Sequence, residues 1–467
     1  MFKNLKITSS KFLCSICFSL CFFTFMLIEA FINERSVIFF GCNVVNIVYT
    51  LGLVFTGLGF LSFSFLCKIC KSEKLKKIIM FINCTLCLLV NIILALSNQP
   101  IVFLISSMLA LLLTGNISSY IYYKMAINFK DSKYTGRVIG IGMGIAIILQ
   151  YIVQNLMPQT IIFIISILLN IIFVIYYMFR KSKDINSNNV IANFYSIENN
   201  NKMIKALIIA VILMSLVAGM IDSVLTSFNA TKEYDIYNGV RLFYALGLVL
   251  AGFIADTKSR IYLPLATLCA ILLSSICIFF LSEEISYFAG TALMYLYSGF
   301  YVIFFTIMFL DFAPNSKCPE LWASMGRIIR SFTVAATIIP AINIYNAVGN
   351  IALATISCLL SITIMLVLLP FISKTVNYSK QSNNQFNKLE MIPQERLKLY
   401  AEHCLLTPRE TEVLEKLITT DDDLQGIADS LYISRRMVQR YVTSIYEKTD
   451  TKTRHGLFQS YINFTIN

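Results

Sequence analysis

The stretch LTPRETEVLEKL (406–417), followed by IADSLYISRRMVQRYVTSIYEK (427–448) and TDTKTRHGL (449–457), decides how the end of this chain folds. Thr407 can cap the first free amides of a helix, and Glu410, three residues on, can reach back to the cap. Pro408 falls at the first helical position, where its missing N–H costs nothing. Val413, Leu414, Leu417 and Ile418 then recur at helical spacing. A second short helix carries Ile427, Ala428 and Leu431, and Ser434 is an N-cap for a third. On that third helix Met437, Val438, Tyr441, Val442 and Ile445 share one face, and Arg436, Gln439, Arg440 and Thr443 share the other. A helix, a short helix, a tight turn and a helix with a basic outer face make the layout of a helix-turn-helix, whose second helix enters a DNA major groove.

Charge divides this segment. Up to Ile433 the acids dominate: Glu410, Glu412, Glu415, Asp421, Asp422, Asp423 and Asp429 stand against Arg409 and Lys416. From Ser434 the balance reverses, with Arg435, Arg436, Arg440, Lys448, Lys452 and Arg454 against Glu447 and Asp450. A positive recognition side is what phosphate neutralisation requires. The residues Leu406 to Glu410, Glu412-Val413-Leu414, Ile427-Ala428, Leu431, Ile433-Ser434, Val438, Ile445-Tyr446, Lys448 and Arg454 give the segment its identity. In order and spacing it resembles the LuxR-type helix-turn-helix of bacterial transcription regulators. It departs from that pattern at Asp421 to Leu424, Gly426, Met437, Gln439, Tyr441 and Thr449. The resemblance implies DNA binding and pairing of two copies through the last helix, Lys452 to Tyr461. The expected DNA contacts are Arg435, Arg436, Gln439, Arg440 and Thr443, with Lys448, Lys452 and Arg454 on phosphates.

The rest of the chain is a different material. The whole is 57% hydrophobic and 14% charged, with a mean hydropathy of +0.72. A soluble protein could not hide that much apolar surface, so a lipid bilayer is the expected partner. Twelve apolar runs are long enough to span one: near 12–32, 40–66, 78–97, 101–123, 137–157, 160–179, 204–228, 239–255, 261–281, 286–311, 322–345 and 350–372. The basic start followed by Phe12 to Ile32 reads as the first span rather than a cleaved signal. Alternate loops are basic: Lys68 to Lys77, Lys124 to Arg137, Arg180 to Lys205, then Lys258 and Arg260. The opposite loops hold only Arg35 and Lys232. The positive-inside rule puts both termini in the cytoplasm of a multi-pass cell-membrane protein, on the side where DNA is.

The membrane part repeats itself. Leu51-Gly52-Leu53-Val54-x-x-Gly57 returns as Leu246-Gly247-Leu248-Val249-x-x-Gly252, and Gly136-Arg137 returns as Gly326-Arg327. Two six-helix halves (1–180 and 203–373) joined by a polar loop form a parallel-repeat plan. Gly252-x-x-x-Asp256-x-x-x-Arg260 is similar to the loop signature of the major facilitator superfamily, while the first half has Leu61 in place of the Asp. That resemblance implies a central cavity between the halves. Glu29, Asp222 and Arg241 are the candidates to line it, because charge in a span is costly. Arg327 and Arg330 read as cytoplasmic-end charges that anchor topology or pair with Asp256 or Asp311.

The expected architecture is therefore all-α: a twelve-span helical bundle over 1–373, a flexible linker over 374–403, and a LuxR-type domain over 404–467. The thirteen cysteines, including the pairs Cys14/Cys17, Cys67/Cys70 and Cys84/Cys87, read as small apolar residues of membrane helices. His403 and His455 are the only histidines, and no phosphate-binding loop or nucleophile motif is present, so no metal, cofactor or catalytic role is expected. The functional expectation is a membrane-bound regulator that senses an unidentified small molecule through its transporter-like part. The alternative is a transporter carrying a regulatory C-terminal domain.

Overall fold

Each apolar run becomes a helix, because backbone amides in lipid have no other partner than their own segment. The computed structural model describes residues 9–464 apart from 71, 131, 157–158, 181–200, 232–238, 258–259, 261, 279–283, 390–392, 421 and 452. It divides into two compact units, Met1–Val376 and Asn377–Asn467.

The first unit holds α1 (Ser9–Phe40), α2 (Cys42–Ile69), α3 (Glu73–Leu96), α4 (Pro100–Asn128), α5 (Thr135–Leu156) and α6 (Gln159–Phe179). Then come α7 (Asn201–Thr231), α8 (Leu242–Ala255), α9 (Tyr262–Cys277), α10 (Glu284–Phe312), α11 (Pro319–Val348) and α12 (Asn350–Leu389), whose last residues pass the boundary at Val376. Among the described residues ten of these are long and apolar enough to cross a membrane. The expectation of twelve counted α8 and α9 as well, which are apolar but have only 14 and 16 residues. The outward faces are apolar. Ile82, Leu86, Leu89 and Ile93 form an exposed row on α3, and Leu359, Ile362, Leu366 and Leu369 form one on α12. In water such rows would drive association, whereas in lipid they meet their own kind.

The glycine repeat explains how the halves meet. A Cβ at Gly52 would lie 2.8 Å from Leu111 on α4, and one at Gly57 would lie 3.0 Å from the Phe332 ring on α11. In the second half, a Cβ at Gly247 would lie 2.5 Å from the Leu296 carbonyl of α10, and one at Gly252 would lie 2.5 Å from the Gly136 carbonyl of α5. The first glycine of each copy thus faces a helix of its own half, and the second faces the other half. Close backbone approach through small residues is what holds helices together where lipid removes the hydrophobic incentive.

At one end the signature loop reinforces the α5–α8 seam. Asp256, with a side chain 1% exposed, accepts hydrogen bonds from the Gly136 and Arg137 amides, both at 2.8 Å. A carboxylate is well placed against the free amides at a helix start. Arg260 donates to Asp256 at 3.1 Å and pairs with Asp311. Both acids named above as partners for Arg327 or Arg330 are therefore engaged by Arg260.

The second unit is built by caps. It contains α13 (Pro393–His403), α14 (Pro408–Thr419), α15 (Leu424–Ser430), α16 (Arg435–Lys448) and α17 (Arg454–Asn463). Thr407 and Glu410 form the expected capping box. Asp423 caps α15 by accepting from the Gly426 amide at 2.8 Å. Ser434 caps α16 and Thr453 caps α17. Leu405, Tyr432 and Asp450 take positive φ of 52°, 55° and 49°. Each lets the next amide close a six-residue return bond: Leu406 to Ala401, Ile433 to Ala428 and Thr451 to Tyr446. A left-handed stop and a polar restart fix the sharp turn from α15 into α16. Val413, Leu414, Leu417, Ile427, Val438, Ile445 and Leu457 fill the core beneath.

Of the residues expected as a linker, 374–389 continue helix α12 and 393–403 form α13, while 390–392 lie outside the described residues. Helix α12 continues to Leu389, and no Gly or Pro stands between Pro370 and that residue. Helix α13 also contributes Leu397 and Tyr400 to the second core.

Candidate nucleic-acid interface and membrane cavity

On α16 the apolar and polar faces separate as the spacing requires. Val438, Val442 and Ile445 are buried, and Arg435, Arg436, Gln439, Arg440 and Thr443 are exposed. None of these three arginines forms an ion pair among the described residues. Met437, expected on the packed side, is 38% exposed because it sits at the border between the faces. The helix therefore presents three free cations, an amide and a hydroxyl along its first turns.

Two other residues expected on phosphates are engaged inside the domain. Lys448 donates to Glu410 Oε2 at 2.7 Å and to the Leu405 carbonyl at 3.2 Å. Arg454 donates to the carbonyls of Leu417 (2.9 Å), Asp422 (2.6 Å) and Thr420. A guanidinium there satisfies the open carbonyls at the end of α14 and suits the negative end of its dipole. Lys452 lies outside the described residues.

Glu410 is the hinge pin of this arrangement. Besides the cap, its Oε1 accepts from Ser444 at 2.6 Å and its Oε2 from Lys448, so it ties α14 to α16. Burial pushes its carboxyl up, but the bonds from Lys448, Ser444 and Thr407 outweigh that and hold it at about 2. The sequence displayed the cap and hid the tie, since nothing in the spacing announces a bond between residues 34 apart.

In the first unit Glu29, Asp222 and Arg241 all line one cavity. Its empty volume, with the open solvent at the mouth included, is about 810 Å³. Glu29 comes from α1 and Asp222 from α7, at equivalent places in the two halves. Arg241 stands just before α8. Two further charges enter this cavity, Arg327 and Arg330 of α11. Arg330 pairs with Asp222 at 3.0 Å. Tyr49 donates to the same carboxylate at 3.5 Å. Arg327 donates through Nε to the Tyr122 hydroxyl at 2.9 Å, and its guanidinium lies over the rings of Phe22 (5.1 Å) and Phe305 (5.3 Å). These arginines face inward rather than anchoring an end. Their helical phase held the signal: Ser324, Arg327, Ser331 and Val334 follow the i, i+3, i+7 rule and are all buried.

The model for bacterial regulatory proteins of the luxR family matches residues 405–460. No curated protein matches the chain. Among solved structures, the human organic anion transporter MFSD10 (TETRAN) is similar at a TM-score of 0.50 and 13% identity, over 77% of this chain and 98% of that one. At that identity the likeness concerns the fold. Residues 405–460 thus belong to the LuxR family of helix-turn-helix regulatory domains, and they follow an all-helical multi-pass membrane domain with a major-facilitator-type fold.

Proposed function

We propose that this chain is a membrane-bound transcription regulator whose transporter-like domain senses a small molecule. The observation that carries the reading is the exposed, unpaired cationic face of α16 in a LuxR-type domain covalently joined to a membrane domain. Arg435, Arg436, Gln439, Arg440 and Thr443 contact DNA, the first turns of α16 entering the major groove. Lys448 and Arg454 hold the domain together. Lysine-rich and arginine-rich alternate loops support a cytoplasmic location for both termini in the cell membrane. Pairing of two chains runs through α17, as in the family. Ligand binding among Glu29, Asp222 and Arg241 shifts the membrane domain between two states and alters DNA occupancy. Such a shift requires different affinities for the two states. Crosslinking of the full chain to DNA in cells tests the reading. Enriched sites that disappear with Arg436→Ala support it, and identical recovery with and without the substitution refutes it.

A second reading has its own support, the charged cavity between the halves of a transporter fold. In it the cavity carries a substrate across the membrane. Loss of uptake on deleting the gene, with unchanged transcript levels, favours that alternative.

A further inference from the structure

Two arginines one helical turn apart on α11 line the cavity, and their surroundings differ. Arg330 has a carboxylate, Asp222, at 3.0 Å. Arg327 has none among the described residues. It is 6% exposed, its Nε is engaged by Tyr122, and its Nη2 is buried without a hydrogen-bond partner. A guanidinium does not give up its proton inside a protein. A buried charge lacking its partner is among the more costly features a fold can carry, and the cost rises inside a membrane. Two aromatic faces offset part of it, but they supply no acceptor for Nη2.

The repeat shows why the partner is missing. Arg137, the first-half copy of the Gly-Arg step, lies 3.8 Å from Asp256 of the signature loop. The first-half version of that loop has Leu61 where the Asp would stand, so Arg327 has no reciprocal carboxylate. Arg327 also borders a smaller void that shares Phe25 and Arg330 with the main cavity. The Arg327 side chain therefore borders open space, with Nη2 itself buried behind that surface.

We infer that the cavity binds an aromatic monocarboxylate, with the carboxylate on Arg327 and the ring among Phe25, Tyr49, Tyr244 and Tyr295. A carboxylate matches the planar fork of a guanidinium. One negative charge fits because the lining holds three guanidiniums (Arg241, Arg327 and Arg330) against two carboxylates, and Glu29 and Asp222 repel a second. The aromatic lining offers faces and edges for ring contacts. The inference deepens the sensor reading and rests on it for its purpose.

The experiment uses the full chain in phosphatidylcholine nanodiscs, without DNA. Thermal unfolding is followed with benzoate, phenylacetate, cinnamate and 4-hydroxybenzoate, each beside its uncharged amide. The expected result is a rise in Tm of about 3–6 °C with at least one acid at saturation and none with its amide. Arg327→Gln weakens the response at least about tenfold, and Arg327→Lys retains part of it. The inference is overturned if no acid raises Tm, if an amide matches its acid, or if Arg327→Gln responds like the unmodified chain. Should Arg327→Gln fail to fold, the contrast between acid and amide on the unmodified chain decides alone. A negative result here leaves the regulator reading standing, and loss of DNA binding in a separate assay would leave this one standing.

Discussion

The arginines of α16 and those of α11 are the same side chain in opposite solvents. Arg435, Arg436 and Arg440 are exposed and unpaired, whereas Arg327 and Arg330 are turned into the interior of a membrane domain. An exposed cation costs little to keep and acts through a field that salt screens. A buried cation must be balanced locally, so each of its contacts carries information about what it is for. The first kind is the stuff of reversible DNA binding. The second is the stuff of seams and ligand sites.

The largest effect that would sharpen this contrast lies on the buried side. Asp256→Asn leaves Arg260 with one carboxylate fewer and weakens the acceptor for the Gly136 and Arg137 amides. The expected cost is about 3–5 kcal/mol to the membrane domain. Thermal unfolding of the full chain, followed by fluorescence of Trp322, the single tryptophan, checks it. A loss below about 1 kcal/mol would mean that buried charge in this seam is worth no more than surface charge.

The exposed side comes next. Arg436→Ala with Arg440→Ala should weaken DNA binding by about 10–100-fold and lower the salt slope by about 2. Stability should change by less than about 0.5 kcal/mol, because neither side chain is packed. A large loss of stability would erase the distinction between the two classes of arginine.

Glu410 belongs to the buried class although it sits in the C-terminal domain. Its folded value of about 2 lies below the unfolded one near 4.5. Its contribution to stability is therefore complete above about 4.5 and is lost as pH falls toward 2. The segment 377–467 has its own apolar core, and circular dichroism of it should follow that window. Glu410→Gln should cost about 1–3 kcal/mol and flatten the profile there.

The smallest effect is the most discriminating. Lys448→Met removes a cation from the helix proposed to enter DNA, yet Lys448 points back to Glu410 and Leu405. It should cost at most about 1 kcal/mol of stability and leave the salt slope unchanged. A slope reduced by about 1 would return Lys448 to the phosphate contacts.

Much of this was legible in the residues. Thr407, Glu410 and Ser434 announced their caps, and the repeated glycines fall at close helix approaches. Glu29, Asp222 and Arg241 stood out because charge is rare in apolar runs, and one cavity gathers them. Three things were hidden for physical reasons. Arg327 and Arg330 were judged by their distance from a helix end, while their helical phase turns them inward. Lys448 and Arg454 showed their sign but not their partners, since those include backbone carbonyls far away in sequence. The polar run after Ser373 reads as a linker by composition, and the continuation of α12 to Leu389 rests on the absence of any Gly or Pro from that run, which composition alone does not weigh.

The most direct measurement is a salt titration of DNA binding by the full chain in nanodiscs, using the regions upstream of its own gene and its neighbours. Site-specific binding is expected at moderate salt, with log K falling linearly as log salt rises and the affinity reduced about 10–100-fold by Arg436→Ala with Arg440→Ala. Absence of binding at any of these regions at low salt, with the C-terminal domain folded, would contradict it and move the transporter reading to first place.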